Sequence, residues 1–302
     1  MQPIARFLQI NELHIQNRDI PRKHYAGIWD RSEWLFEAIR TGHFGELDFV
    51  LGLGDLVDGP GMEEIEADLQ ELQQIMGEMP CPLYPSVGNH DIGRREGDTD
   101  WHQPMLKAFN QTSTNYTFEA AGINFVMLNN AGTTQCTQDV YDARAAWLGK
   151  ALDETPGPIF LCCHMPLVAM RDQETLIKSS RFESWKCREP EALEIVNRHR
   201  DKVAAVISGH LHLTGKVEAD GIVHIDIAGV ASYPSDVAVY TVFEDHVDVE
   251  VQQLPEHVCK LETNIHGRPR HEQDFFDESH PTLDLYLRGN PNERQFRIPL
   301  KP

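Results

Sequence analysis

The sequence is short of the features that mark several large classes of protein. Cysteine is scarce: six occur in 302 residues, at Cys81, Cys136, Cys162, Cys163, Cys187 and Cys259, and no two form a C-x-x-C pair. That argues against a zinc ribbon or a thioredoxin-type redox pair, and free thiols in a reducing cytoplasm are expected. No apolar run reaches the roughly 18–20 residues that a membrane span needs. The opening run Phe7-Leu8-Gln9-Ile10 is too brief and too polar for the core of a secretion signal, so it reads as a first strand and the chain as cytoplasmic. Basic residues are few: 27 Lys and Arg against 47 Asp and Glu leave a formal charge of −20. Stable nucleic-acid binding and attachment to an anionic membrane both need a basic face, so neither is expected. Leu51-Gly52-Leu53-Gly54-Asp55-Leu56 starts like a dinucleotide-binding loop but carries Val57 where the third glycine would stand. Neither G-x-x-x-x-G-K nor G-x-S-x-G occurs, which leaves P-loop and serine-hydrolase chemistry unsupported.

What is present is a folded α/β pattern. Hydrophobic residues make up 41% of the chain, enough for a full core at this length without disulfides. Buried-strand runs are expected at Ile4–Ile10, Leu47–Leu53, Leu83–Val87, Ile159–Cys163 and Val203–Ser208, with a hairpin of Thr114–Phe118 and Ile123–Asn129 around Gly122. Helical spacing is expected over Ser32–Thr41, Met62–Met79, Asp142–Glu154 and Glu191–His199. Beyond His212 the alternation of Gly215–Val217, Ile222–Ile227, Ala238–Phe243 and Val247–Gln252 reads as a run of antiparallel strands. After Pro255 the pattern dissolves. Residues 1–255 are read as one catalytic domain and 256–302 as an extension packed on it, with strand candidates at Leu283–Leu287 and Phe296–Leu300 that could pair with the core or a second copy of the chain.

Side chains able to hold metal stand at the ends of apolar strands five times. The five segments are Glu12-Leu13-His14, Gly54-Asp55-Leu56-Val57-Asp58, Gly88-Asn89-His90-Asp91, Cys163-His164-Met165-Pro166 and Gly209-His210-Leu211-His212. In α/β sheets, ligands gather just outside the carboxyl ends of strands. Convergence of these five ends would place carboxylates, an amide oxygen and several imidazoles in one pocket. That donor set suits Mn, Fe, Zn or Ni, and the lack of thiolate argues against a structural zinc. Each piece alone is weak, since exposed histidine pairs and lone core histidines are common. Cys162 and Cys163 beside His164 read as core rather than as a thiol nucleophile.

The five segments in this order resemble the calcineurin-like metallophosphoesterase superfamily, whose pattern is D-x-H, GDxxD, GNHD or GNHE, a lone His after a strand, and GHxH. The resemblance spans roughly residues 4–245. It implies a four-layer α-β-β-α sandwich with two mixed sheets and a centre for two divalent ions at the strand ends. One ion would be held by Glu12, His14, Asp55 and His212, the other by Asp55, Asn89, His164 and His210, with Asp55 shared. His90 would be the general acid for the leaving group as a metal-bridging hydroxide attacks phosphorus. Asp91 would orient His90, and Asp58 would support a ligand or loop amide. The GDxxD and D-x-H forms resemble the phosphodiesterase side of the family, so a small phosphoester is expected as substrate, with cyclic nucleotides and glycerophosphodiesters the candidates. His24, Arg94 and Arg95, on loops following motif segments, are candidates for meeting its phosphate. The chain departs from the pattern in one place, with Glu12 where the family has Asp. The added methylene opens the alternative of a weakened first ion site, or of a metal-binding or scaffold protein without catalysis.

Overall fold

The apolar runs become the strands of two sheets in a computed structural model of the protein, which describes residues 2–20, 27–92, 102–131, 137–171, 190–259 and 287–301. Among the described residues each sheet has six strands. The first has the order β12-β11-β10-β1-β2-β3. Its parallel half is β1 (Ala5–Ile10), β2 (Phe49–Leu53) and β3 (Leu83–Ser86), and its antiparallel half is β10 (Asp236–Val242), β11 (His246–Gln253) and β12 (Gln295–Pro299). The second has the order β4-β5-β6-β7-β9-β8. Here β5 (Ile123–Leu128), β6 (Ile159–Cys163), β7 (Val203–Ser208) and β9 (Ile222–Asp226) run parallel, between antiparallel edges β4 (Tyr116–Ala120) and β8 (Gly215–Ala219).

Strand alternation sends successive side chains to opposite faces, which makes four layers. Phe7, Phe49, Phe125, Phe160 and Tyr240 fill the space between the sheets, with the Phe7 ring stacked on Phe49 at 4.7 Å and on Tyr240 at 4.5 Å. Leu8, Ile10 and Val50 face the other way, under α1 (Ile28–Arg40) and α2 (Met62–Met76). Val126, Leu161 and Val206 likewise lie under α4 (Gln138–Glu154) and α5 (Pro190–Arg198). The shorter helices are α3 (Gln103–Ala108), α6 (Glu256–Cys259) and α7 (Pro291–Arg294). Covered on both faces, the parallel strands read as continuous apolar runs, and each fully buried Phe or Leu stabilises the fold by roughly 1.5–3 kcal/mol. The sandwich is thus the α-β-β-α arrangement that the resemblance implies.

One polar column crosses the apolar space between the sheets. The Tyr240 hydroxyl donates to Gln9 Oε1 at 2.7 Å, and Gln9 Nε2 donates to the Ser208 carbonyl at 2.9 Å. Gln9 is the next-to-last residue of β1 and Ser208 the last of β7, so this column sets the two strand ends against each other.

The strands beyond His212 differ from the expected antiparallel run. β8 and β9 form a hairpin, but β9 lies parallel to β7 in the second sheet, whereas β10 and β11 cross to the first sheet beside β1. Alternation in sequence reports burial of one face and is blind to the direction and identity of the neighbour. α1 begins before the expected Ser32, because Ile28 is also buried in its apolar stripe, and α3 was not anticipated. The Phe296–Leu300 candidate corresponds to β12, paired antiparallel with β11. Of the Leu283–Leu287 candidate, only Leu287 falls within the described residues.

Candidate metal centre and active site

The ends of β1, β2, β3, β6 and β7 open onto one place. The loops after β1 and β2 run side by side: Glu12 N donates to the Gly54 carbonyl at 3.1 Å, His14 N to the Asp55 carbonyl at 3.0 Å, and Asp58 N to the Ile15 carbonyl at 3.1 Å. From the second sheet, Gly209 N donates to the His164 carbonyl at 3.0 Å. Of the nine described non-glycine residues with positive φ, five belong to this site: Glu12 (51°), His14 (48°), Asp55 (49°), His210 (77°) and His212 (52°). A left-handed conformation costs an ordinary residue roughly 1–2 kcal/mol, and such strain gathers at functional sites. Gly54, at φ 88°, lets the loops close up, for a Cβ there would lie 2.5 Å from His164 Nδ1 and 2.8 Å from the backbone of Gly88.

The side chains form three overlapping groups, of which His14, Asp55 and His90 make the one that joins the other two. Ligand atoms of Glu12, His14 and His212 lie within 4.8 Å of one another, and so do those of Asp55, His164 and His210. In the first group His14 Nε2 is 3.1 Å and His212 Nε2 3.2 Å from Glu12 Oε2, while Glu12 Oε1 accepts the His210 backbone N–H at 2.6 Å. In the second, His164 Nε2 is 3.4 Å from Asp55 Oδ2, 3.1 Å from Asn89 Oδ1 and 3.2 Å from His210 Nδ1. Asp55 Oδ2 is also 3.8 Å from His14 Nε2, which links the groups. Glu12, His14, Asp55, His164 and His212 are buried, whereas Asn89, His90 and His210 are partly open.

Burial raises the cost of ionising these carboxylates, yet Glu12 is held well below its usual range by His164, His212 and His14, and Asp55 well below its own, chiefly by His164. The compensating protons sit on imidazoles. Burial alone would lower His14, but its bonds to Asp58 and Glu12 and the charge of Asp55 raise it to about 10. His164 is drawn to about 10 by Asp55 and Glu12 against the same effect of burial. His210, its ring desolvated by its surroundings and set beside the positive His164, falls to about 3. Two ionised carboxylates at this depth demand positive charge, and the protein alone meets that demand with protons. Imidazole, carboxylate and the Asn89 amide oxygen are also the donors that divalent transition ions take, so the residues fit such ions.

His90 and Asp91 require a correction. The carboxylate against His90 belongs to Asp58, whose Oδ1 lies 2.6 Å from His90 Nδ1 and 3.5 Å from His14 Nδ1, while its Oδ2 accepts from Gln16 Nε2 at 2.8 Å. Asp91 instead turns inward and accepts backbone N–H groups of Val57 at 3.0 Å and Gly88 at 2.7 Å. It ties the loops after β2 and β3 together. Burial and the neighbouring Asp55 charge push its carboxyl up to about 7. The His90 backbone N–H donates to Asp55 Oδ1 at 2.7 Å.

Sequence reasoning also missed Ser232 and the Leu53 carbonyl. Ser232 Oγ lies 2.7 Å from His212 Nδ1, and the Leu53 oxygen 3.0 Å from His164 Nδ1, so each ring has its Nδ1 held by a protein oxygen and its Nε2 turned to a carboxylate, with His164 Nδ1 also 3.6 Å from Glu12 Oε1. Ser232 lies well past Asp226, the end of β9, and is no metal-type side chain, so the strand-end rule that found the five motifs does not reach it. His24, Arg94 and Arg95 lie outside the described residues.

The sequence profile of the family described as calcineurin-like phosphoesterase matches residues 5–213. The chain belongs to that family. No curated protein matches it in sequence. Among solved structures, purple acid phosphatase PPD1 from yellow lupin seeds is similar at TM-score 0.59 and 14% identity, over 83% of this chain and 52% of the lupin protein, about half its length. GAP50, described as the anchor in the inner membrane complex of Plasmodium, is similar at TM-score 0.56 and 13% identity, over 82% of this chain and 84% of that one. At these identities the likeness concerns the fold. The chain is thus a calcineurin-like metallophosphoesterase fold carrying a His, Asp and Glu cluster of metal-binding type. Among the described residues, no helix is long and apolar enough to cross a membrane.

Proposed function

We propose that the protein is a dimetal phosphohydrolase that cleaves a phosphodiester. The observation that carries this reading is the placing of two donor groups on either side of Asp55, with His90 at the open edge braced by Asp58. Glu12, His14 and His212 would hold one ion, and Asn89, His164 and His210 the other, with Asp55 between them. Divalent ions in such a pair supply Lewis-acid polarisation of the phosphate and activation of the attacking water.

The chain's own residues do the rest. Asp58, held well below the usual carboxylate range by His14 and His90 although burial opposes this, accepts from His90 Nδ1 and fixes the ring. Nε2 is then the nitrogen that passes a proton to the leaving oxygen. Ser232 and the Leu53 carbonyl orient His212 and His164. The Glu12 carboxylate, reaching two imidazoles and the His210 N–H, supports a working ligand over a damaged one, and so weighs against the scaffold alternative. Preference for a diester rests on the GDxxD form of Gly54–Asp58 and on the presence of His14, two residues after Glu12 in the family's Asp position; cyclic nucleotides and glycerophosphodiesters are the natural substrates to try.

The test is hydrolysis of bis(p-nitrophenyl) phosphate by chelator-stripped protein refilled with Mn²⁺, with the monoester alongside. Turnover that chelator abolishes, and that favours the diester, is expected. Absence of turnover with Mn²⁺, Zn²⁺, Fe²⁺ and Ni²⁺ would overturn the enzymatic reading, and preference for the monoester would overturn the diesterase.

A further inference from the structure

Three loops of the candidate centre are gripped by one segment from the far end of the chain. Between Leu287 and β12, Glu293 of α7 meets the start of β8 in the second sheet and Arg294 the start of β10 in the first. Glu293 Oε1 accepts from Arg171 Nη1 at 2.7 Å and from Lys216 N at 3.3 Å, and Arg171 lies in the loop that follows His164. Arg171 Nη2 in turn donates to the Thr214 carbonyl at 2.7 Å. The Leu287 carbonyl accepts the Thr214 N–H at 2.7 Å, and Thr214 stands two residues after His212. Gly289, at φ 77°, passes so close that a Cβ would lie 2.7 Å from the Thr214 oxygen.

Arg294 makes the central tie. Its guanidinium meets the fully buried Asp236 in a two-point fork, Nη1 to Oδ2 at 2.7 Å and Nη2 to Oδ1 at 2.9 Å. The same Asp236 Oδ2 accepts from Thr214 Oγ1 at 2.6 Å, and Asp236 N donates to the Gly229 carbonyl at 2.8 Å. Asp236 therefore joins the loop bearing His210 and His212 to the loop bearing Ser232, the partner of His212. A forked arginine–carboxylate pair fixes direction as well as distance, which a lysine cannot do.

We propose that Arg294 is a positioning residue for the centre: through Asp236 and Thr214 it sets the loops that aim His212, so that ion binding depends on the C-terminal segment. This rests on the reading that Glu12, His14 and His212 hold an ion. It assigns the segment a task that touches neither substrate nor ion directly.

The experiment is calorimetric titration of Mn²⁺ into full-length protein, comparing the unsubstituted chain with Arg294→Met, Arg294→Lys and Arg297→Met. Arg297, three residues further on in β12, forms an exposed pair with Asp248 at 2.8 Å and serves as control. Losses from removing a group that orients a ligand run about 10–100-fold, so Arg294→Met is expected to weaken at least one ion by about tenfold, Arg294→Lys to recover part of that, and Arg297→Met to match the unsubstituted chain. Arg294→Met leaves a buried carboxylate unpaired, so Arg294→Met/Asp236→Asn carries the test if the single variant does not fold. A lower melting temperature with unchanged Mn²⁺ affinity would overturn the positioning role and leave the metal reading standing. Failure of the unsubstituted chain to bind Mn²⁺ would overturn both.

Discussion

Replacing Gly54 by alanine presses on the point where the site's loops are most tightly stacked. The new Cβ would sit 2.5 Å from His164 Nδ1 and 2.8 Å from the Gly88 N and Cα, with φ at 88°. A left-handed alanine costs roughly 1–2 kcal/mol. Overpacking against backbone that cannot swing aside costs roughly 1–3 kcal/mol. Displacing the His164 ring breaks its 3.0 Å contact with the Leu53 carbonyl. That loss is worth about 1 kcal/mol. Together these give a destabilisation of about 3–6 kcal/mol, less than the total stability of all but the least stable domains in the typical range of about 5–15 kcal/mol. The variant should therefore fold but bind Mn²⁺ less tightly, since His164 is the imidazole displaced. Gly122→Ala is the matched control: its φ is 73°, and nothing lies within 4 Å of a Cβ there. It should lose only the conformational part, roughly 1 kcal/mol. Urea unfolding of both variants, followed by circular dichroism with and without Mn²⁺, measures the difference. Equal losses for the two glycines would refute the claim that the loops are packed against each other at Gly54.

Three further outcomes are expected. His90→Ala and Asp58→Asn should cut turnover of a diester with a poor leaving group far more than that of one releasing p-nitrophenolate, because His90 Nδ1 lies 2.6 Å from Asp58; equal losses on both substrates would defeat the general-acid role. His14 and His164 are raised from 6.5 to about 10, so the stability they give the chelated protein is complete below about pH 6.5 and disappears as pH rises through about 10. The chelated midpoint should accordingly fall from pH 7 to 10, while the added stability from Mn²⁺ grows between pH 6 and 8, because ions and protons compete for the same imidazoles; a chelated midpoint that rises toward pH 10 would contradict the assignment. Glu12→Asp, although it restores the family's residue, should weaken ion binding about tenfold by drawing the carboxylate back from His14, His212 and the His210 N–H; tighter binding would show that the longer side chain is a defect.

Much of this site was legible because each motif ends an apolar run. Leu51, Ile207 and Cys162 announce buried parallel strands, and the polar residues that follow must lie at their carboxyl ends. What was not legible depends on partners far apart in sequence. Nothing local distinguishes Asp58 from Asp91 as the neighbour of His90, and the nearer one in sequence is the wrong one, because the N–H groups of Val57 and Gly88 claim it first. The placement of β9 beside β7 was hidden for a related reason, since alternation carries no direction. Glu293 and Arg294 read as ordinary surface charge in a polar stretch; only the fold brings them to Arg171 and Asp236.

Each of the two proposed ion-holding groups draws on both sheets. Glu12 and His14 extend from β1 and meet His212 from beyond β7, while Asp55 and Asn89 extend from β2 and β3 and meet His164 and His210 from β6 and β7. The centre therefore straddles the seam of the sandwich, where the Gln9 column already pins one strand end to another. Ions held there would act as rivets through that seam. Sliding one sheet past the other would then have to break coordination, so a chelator would loosen the architecture as well as silence the chemistry.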